Sequence, residues 1–215
     1  GIQSIYCDRE NNSVWIGLYN QGMCYYHPSM NKIVLYNKKM INGDWKGEEI
    51  RCMLETSKGE ILMGTTQGVY RYEPETKSMN RFYHEFSQKN CRVLYEDSKK
   101  RVWVGTYHDG LYCIDHGKVQ SYDYPDTDYQ NELDFSNIRV MVEDSSGRLW
   151  VSIYGGVGLF NPENGQINLL SEQFPELKKY KVANALAIDN QSRLVVGSDN
   201  GLYIYDPATN KIWIP

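Results

Sequence analysis

Three arginines each occupy the second position of a short segment in which apolar and polar residues alternate, and the three segments resemble one another. The segments are IRCMLET, CRVLYED and IRVMVED, and they contain Arg51, Arg92 and Arg139. A guanidinium group presents a planar fork of donors that suits carboxylates and sugar hydroxyls. We therefore predict that these three side chains bind a ligand. The alternative is that each arginine pairs with a neighbouring acid, such as Glu55 or Glu96.

Three tyrosines occur in polar, glycine-ended segments. LYNQG, TYHDG and IYGGVG contain Tyr19, Tyr107 and Tyr154, and the second segment adds His108 and Asp109. An aromatic face can cover the apolar C–H face of a sugar while nearby polar groups bond its hydroxyls. These segments therefore predict an oligosaccharide site. The alternative is that the tyrosines only cap the edge of the fold.

Two long segments, 37–49 and 123–137, separate the apolar runs. Long loops on a rigid scaffold often carry function. They supply four further aromatic candidates: Trp45, Tyr124, Tyr129 and Phe135. The alternative is that these loops are solvated or pack on a neighbouring domain.

The sequence offers little that is typical of an enzyme. It has no GxSxG, HExxH or phosphate-binding loop motif. The four histidines stand at unrelated positions: His27, His84, His108 and His116. We expect no catalytic residues, no metal and no cofactor. A glycosidase or lyase using Glu55, Glu96 or Glu143 is the least favoured alternative, because these acids recur at equivalent positions and so suggest architecture.

The elements that position these residues come from a fivefold repeat. RVWVGTYHDGLYCID from Arg101 has four counterparts, and their first glycines align as Gly17, Gly64, Gly105 and Gly197, with Ser152 in the fourth copy. The steps are roughly 41–47 residues, a period typical of propellers. Each copy contains four short β-branched and aromatic runs between turns, which predicts four strands.

The repeat therefore predicts an all-β protein with blades at about 2–49, 50–90, 91–137, 138–181 and 182–215. Neighbouring blades bury each other's faces. We expect a bulky residue of each second strand to fill the space between blades: Trp15, Leu62, Trp103, Trp150 and Val195. Gln3 and Ala183 are expected at the arginine position of the first and last copies.

In such a blade, the start of strand one, the loop between strands two and three, and the loop to the next blade share one end. The arginines and tyrosines are therefore expected together. The recurring acids lie at the other end, in the turn after strand one, where Asp side chains bond backbone N–H groups. We predict a structural role for these acids: Asp8, Asp97, Asp144 and Asp189.

Composition limits the class of partner. Net charge is −4 with no basic block, which argues against nucleic acid. No apolar run is long enough to insert in a bilayer. The chain begins inside a strand-like segment without a signal peptide, so we expect an excerpt of a longer protein. The five cysteines show no metal-ligand spacing and are interpreted as small hydrophobic residues of strands.

Two copies, EDSKKRVWVGTYHDGLYCID and EDSSGRLWVSIYGGVGLFNPENG, resemble the two-component regulator propeller repeat. The resemblance extends over all five copies, although Ser152, Leu62 and Val195 depart from the pattern. It implies the periplasmic sensor region of a hybrid two-component histidine kinase receptor that senses oligosaccharides and controls polysaccharide-use genes. It also implies a partial seven-bladed propeller, a homodimer and contacts with the rest of the receptor chain.

A complete five-bladed ring is the alternative architecture. A protein-binding scaffold or dimerisation propeller without a small ligand is the main functional alternative.

Overall fold

The computed structural model describes residues 1–8, 12–19, 22–124 and 133–215, and it divides into two compact units, Gly1–Glu96 and Asp97–Pro215. Unit 1 contains strands β1 (Ile2–Asp8), β2 (Ser13–Leu18), β3 (Gly22–His27), β4 (Lys32–Tyr36), β5 (Asn42–Gly43), β6 (Ile50–Glu55), β7 (Ile61–Thr65), β8 (Gly68–Glu73), β9 (Ser78–Arg81) and β10 (Cys91–Glu96).

Unit 2 contains strands β11 (Val102–Thr106), β12 (Leu111–Asp115), β13 (Lys118–Tyr122), β14 (Val140–Glu143), β15 (Leu149–Ile153), β16 (Gly156–Phe160) and β17 (Ile167–Leu169), then helix α1 (Leu170–Gln173), then β18 (Ala183–Ile188), β19 (Leu194–Ser198), β20 (Gly201–Asp206) and β21 (Lys211–Trp213). Short 3-10 turns lie at Pro28–Met30, His84–Phe86 and Pro175–Lys179.

The strands form five sheets in which four consecutive strands pair in chain order: β1-β2-β3-β4, β6-β7-β8-β9, β10-β11-β12-β13, β14-β15-β16-β17 and β18-β19-β20-β21. The described pairs within these fours are antiparallel. The predicted all-β fold of four-stranded propeller blades is therefore confirmed.

Two elements lie outside the predicted pattern. Strand β5 pairs in parallel with β9 and extends the second sheet to five strands. Between β17 and β18, the chain forms α1 and a 3-10 turn, and it buries Leu170 and Leu177 in the core of unit 2. Both insertions add apolar cover to a blade, which is why the chain tolerates segments longer than a tight turn.

Each unit has its own apolar core. In unit 1, Trp15, Met63 and Tyr72 pack between the first and second sheets. In unit 2, Trp150 and Tyr203 pack between the last two sheets. The expected bulky residues of the second strands are buried in four cases, and Val195, on the last sheet, is half-buried.

A repeated turn closes the strand one to strand two end of the blades. Asp97 accepts hydrogen bonds from the backbone N–H groups of Lys99 and Arg101, from Arg101 Nε at 2.6 Å and from Trp103 Nε1 at 2.8 Å. Asp144 accepts the same set one blade later, from Ser146, Arg148 and Trp150. The turn acids therefore have the structural role that was predicted.

The other copies of this turn vary the donors. Asp189 accepts backbone N–H groups and Arg193 Nε at 2.7 Å, but Val195 replaces the tryptophan. In the second blade Thr56 takes the acid's place, and its Oγ1 accepts the N–H groups of Lys58 and Glu60. The acceptor at the head of the turn is thus kept while its side-chain donors change.

A second contact at this end joins neighbouring blades. Glu96 accepts both the N–H and the Oγ–H of Ser57, at 2.7 and 2.9 Å. In unit 2, Glu143 accepts the N–H and Oγ–H of Ser98, at 2.6 and 2.7 Å. Each glutamate ends the first strand of one blade and binds the turn of the blade before it. This accounts for the recurrence of the acid without any chemistry.

Candidate functional site

Arg51, the first of the three arginines along the chain, lies at a β-bulge of strand β6. The pairing register of β6 with β7 shifts between Ile50 and Cys52, so Arg51 is the extra residue. A bulge bends the strand and re-aims the side chain of the bulged residue. Arg51 Nη2 lies 3.5 Å from Glu49 Oε2, so an acid partner exists, but it is neither Glu55 nor Glu96.

Similar register shifts occur in the first and last sheets, at Gln3 and at Asn184. The position equivalent to Arg51 in the last blade is therefore Asn184, and the predicted Ala183 is wrong by one residue. The spacing from the turn acid would have found it, since Asn184 stands five residues before Asp189 just as Arg139 stands five residues before Asp144.

In unit 2, Arg139 precedes β14, and its Nη2 donates to Asn184 Oδ1 at 2.8 Å. Two equivalent positions of neighbouring blades are thus in direct contact. The Nε atoms of Arg51 and Arg139 are buried without a hydrogen-bond partner in the described parts of the chain. Arg92 is half-buried at the second position of β10. Arg51 and Arg139 thus each make a side-chain contact through Nη2, with Glu49 and Asn184 respectively.

Three of the predicted residues come together in unit 2 around an acid that the sequence did not single out. His108 Nδ1 lies 2.8 Å from Asp134 Oδ2. The ring centroids of Tyr107 and His108 are 3.8 Å apart. The N–H of Asp134 donates to the carbonyl of Tyr154 at 2.8 Å. Asp134 therefore links the loop after β11 to the loop after β15.

Burial and strain distinguish the members of this cluster. Asp134 is 3% exposed, and its Oδ1 accepts the N–H and Oγ–H of Ser136. Tyr107 and Tyr154 are 37% and 38% exposed. His108 is exposed and has φ of +73°, a left-handed conformation that costs energy for a non-glycine residue. A buried acid thus holds the exposed imidazole of His108, whose backbone is in the left-handed region, beside the ring of Tyr107.

This arrangement can act on a polar ligand in two ways. Asp134 orients the imidazole through Nδ1 and leaves Nε2 on the exposed side of the ring. The ring of Tyr107 lies beside the imidazole, and an aromatic face next to a polar group is a combination that sugar recognition uses. Asp134 was missed because it lies within a loop, and its only sequence signal is the Asp-x-Ser spacing of a local turn.

In unit 1 the aromatic candidates behave differently. Tyr19 is 51% exposed, and its N–H donates to the carbonyl of Gly1 at 2.8 Å. Trp45 is 3% exposed, belongs to the core and donates its Nε1–H to the carbonyl of Glu48. The ring of Trp45 is therefore largely covered by the core of unit 1, and its contact with a ligand stays a prediction. The segment 37–49 packs on the second sheet through β5, an outcome that neither alternative named.

Beside Trp45 lies a cavity of about 350 Å³ that the sequence did not predict. Its lining is glycine, asparagine, tryptophan and lysine: Gly22, Asn37, Lys38, Lys39, Trp45, Lys46 and Gly47. Within the described residues, none of the three lysines forms an ion pair. Three lysines among the residues that line one cavity favour a ligand with negative charge.

The segment 123–137 has one candidate that is used for packing. Tyr124 OH donates to the carbonyl of Gly165 at 2.8 Å, its ring stacks on Phe135 at 6.2 Å, and burial raises the pKa of Tyr124 well above its usual value. Phe135 is half-buried. Tyr129 lies outside the described residues.

Another cavity, of about 500 Å³, lies at the opposite end of unit 1 and contains Asp8, Glu55 and Glu96. Glu55 and Glu96 are two of the three glutamates that the glycosidase alternative would use. Each of the three acids in the cavity, however, accepts a hydrogen bond from the protein, from Ser13, Tyr6 and Ser57 respectively. Their contacts within the chain support a structural role.

In the parts of the chain that the structure describes, no helix is both long and apolar enough to cross a membrane.

The sequence profile of the two component regulator propeller matches residues 85–108 and 132–155. No curated protein matches the chain significantly. Two solved structures from B. thetaiotaomicron resemble it with a TM-score of 0.76 over 99% of the chain. They are the extracellular domains of the putative hybrid two component systems BT4673, at 20% identity, and BT3049, at 24% identity.

The chain spans only 30% and 28% of the length of those two domains. Virginiamycin B lyase from Staphylococcus aureus, solved with quinupristin, is also similar, with 16% identity and a TM-score of 0.73 over 100% of this chain and 70% of the lyase. The fold is thus common to sensor domains and to a lyase. The two profile matches overlap the third and fourth copies of the repeat, and the fold of the chain is a β-propeller.

Proposed function

We propose that this chain is the ligand-sensing, periplasmic part of a hybrid two-component histidine kinase receptor and that it binds an oligosaccharide. The observation that carries the proposal is the cluster in unit 2, where Tyr107, His108 and Tyr154 meet at the buried Asp134. The solved extracellular domains with the same fold support the receptor assignment.

The charge of the site supports a ligand that carries acidic groups. Arg139 stands five residues after Asp134 in the chain. Its guanidinium donates a hydrogen bond to Asn184. Unit 1, taken by itself, has cations of its own: Arg51 at the start of β6 and the three lysines that line the 350 Å³ cavity. Guanidinium and ammonium groups bind carboxylates, and tyrosine rings cover sugar faces. An acidic oligosaccharide satisfies both requirements.

Signalling requires that the ligand favour one arrangement of the receptor over another by differential affinity. We propose that this arrangement is a homodimer formed with the rest of the receptor chain and that it activates transcription of polysaccharide-use genes. The domain itself performs no chemistry in this proposal.

The test is titration calorimetry of the domain against a panel of neutral and acidic oligosaccharides, followed by chromatography of the same samples. We expect binding heat with at least one acidic member and no new product. Tyr107→Ala and Arg139→Ala should each weaken binding about tenfold or more, since each removes a main contact.

Two other outcomes correspond to the alternatives. Absence of binding heat across the panel, together with a concentration-dependent oligomer, would support a protein scaffold instead. Product formation that Glu55→Gln or Glu96→Gln abolishes would support a glycosidase or lyase, and would place the active site in the 500 Å³ cavity.

A further inference from the structure

Two cysteine sulfurs lie in contact between the first strands of two neighbouring sheets of unit 1. Cys52 is the third residue of β6 and Cys91 is the first residue of β10. Their Sγ atoms are 3.7 Å apart, and the residues are separated by 39 positions in the chain. A disulfide requires the sulfurs to approach to about 2.05 Å, so the side chains must rotate toward each other.

A glycine provides the space for this pair. Gly64 of β7 pairs with Cys52, and a Cβ atom at Gly64 would clash with both sulfurs. The two thiols therefore share one niche that a larger residue would fill. Cys91 is 1% exposed and Cys52 is half-buried, so Cys52 is the more accessible of the two.

The preceding blade shows that this packing does not need cysteine. There the corresponding glycine is Gly17, which pairs with Ser4 and would clash with Ser4 and Ile50 if it carried a Cβ atom. Ser4 and Ile50 thus hold the places that Cys52 and Cys91 hold one blade later. The backbone arrangement is the same, and only the second junction contains two thiols.

We propose that Cys52 and Cys91 are a dithiol site that a small-molecule disulfide oxidises to an intramolecular disulfide, which ties β6 to β10 beside Arg51 and Arg92. The thiolate of Cys52 attacks the external disulfide and releases one thiolate. Cys91 then attacks the Cys52 sulfur of the mixed disulfide and releases the second. Two protein thiols are oxidised, one external disulfide is reduced to two thiols, and the two protons that the protein thiols lose are taken up, through water, by the two leaving thiolates.

The environment of Cys91 sets the rate of the second step. The hydrogen bond with Cys52 and burial both hold the pKa of Cys91 well above its usual value. A thiolate is the nucleophile in exchange, so the closure is slow at neutral pH and accelerates as pH rises. An extracytoplasmic location would supply the oxidising surroundings in which disulfides persist, but the inference does not depend on the proposed ligand.

The experiment treats the folded domain with oxidised glutathione, blocks remaining thiols and maps the peptides by mass spectrometry. We expect a linked Cys52–Cys91 peptide, a mass lower by two hydrogens, and a higher urea midpoint than for the reduced protein. The Cys91→Ser variant should stop at a mixed disulfide on Cys52. The matched control Cys113→Ser removes a buried cysteine of unit 2 and should leave the link unchanged.

Circular dichroism before and after oxidation establishes that the domain stays folded. The proposal is overturned if folded wild-type protein retains glutathione on Cys52 without closing, or if both thiols remain reduced while the exposed Cys7 reacts. It is equally overturned if the peptide map links Cys52 or Cys91 to any other cysteine.

Discussion

The two ends of the blades differ in how closely their contacts repeat from one blade to the next. At the turns between strands one and two, the chain repeats one solution, in which Asp97 and Asp144 each receive two backbone N–H groups, an arginine and a tryptophan. At the loops after strand two, the copies differ, and one of them contains the contact between His108 and Asp134. The uniform end stabilises the fold, whereas the variable end contains the residues of the proposed ligand site.

This contrast predicts that stability resides mainly at the uniform end. Asp144→Ala removes a buried acceptor and leaves Trp150 Nε1 and Arg148 Nε without their partner. We expect a loss of about 3 kcal/mol in the free energy of unfolding, because buried donors are left unsatisfied. Urea unfolding of unit 2 measures it.

The control for that prediction is Asp189→Ala. The Asp189 side chain is 20% exposed against 1% for Asp144, and no tryptophan donates to it. Its replacement should destabilise less. Equal losses at the two positions would contradict the importance of the buried tryptophan contact.

Stability should also depend on pH through Asp144. Burial raises the pKa of this carboxyl, but the hydrogen bonds from Trp150, Arg148 and Ser146 outweigh burial and hold it below its usual value. Its contribution is therefore fully present above the pKa of the unfolded chain, about 3.9, and is lost as pH falls through the lower folded pKa. Unfolding measured between neutral and acidic pH should show this decline, and Asp144→Asn should flatten it.

A smaller loss is expected at the contact between blades. Ser98→Ala removes the 2.7 Å hydrogen bond from Ser98 Oγ to Glu143 but keeps the backbone one. We expect a loss of about 1 kcal/mol in the free energy of unfolding, typical of a hydrogen bond to a charged acceptor near the surface. Ser146→Ala is the matched control, because only the backbone of Ser146 contacts Asp144, and a loss as large as that of Ser98→Ala would contradict this prediction.

The smallest effect on stability is expected at the variable end. His108→Gly relieves a left-handed backbone conformation with φ of +73° while it removes the contact with Asp134. These opposing terms should leave the unfolding free energy within about 0.5 kcal/mol of wild type. A large destabilisation would mean that His108 stabilises the fold, and it would contradict the assignment of stability to the turns between strands one and two.

The same contrast explains how much the sequence could predict. The five copies determine the strands, their order and the buried tryptophans, because these depend on patterns that recur in every blade. The role of the turn acids was predictable for the same reason, since an Asp beside a tight turn has local backbone donors. Because the uniform end repeats in every copy, its structure can be predicted from a single sequence.

The variable end was only partly predictable. Tyr107, His108 and Tyr154 were placed together, but Asp134 lies in a loop with no repeated counterpart. Asn184 was missed although it stands five residues before Asp189, the same spacing that separates Arg139 from Asp144. The burial of Trp45 accompanies β5, a strand of two residues that pairs with the edge of the second sheet.

The most direct test of the account compares two histidines. His108 and His116 each place Nδ1 near a carboxylate, at 2.8 Å from Asp134 and 2.6 Å from Asp115, but His116 lies in the turn after strand three, at the opposite end of the blade. The measurement is calorimetric titration of His108→Ala and His116→Ala with the acidic oligosaccharide that binds the wild type. We predict at least a tenfold loss of affinity for His108→Ala and wild-type affinity for His116→Ala, and equal affinities would contradict the account.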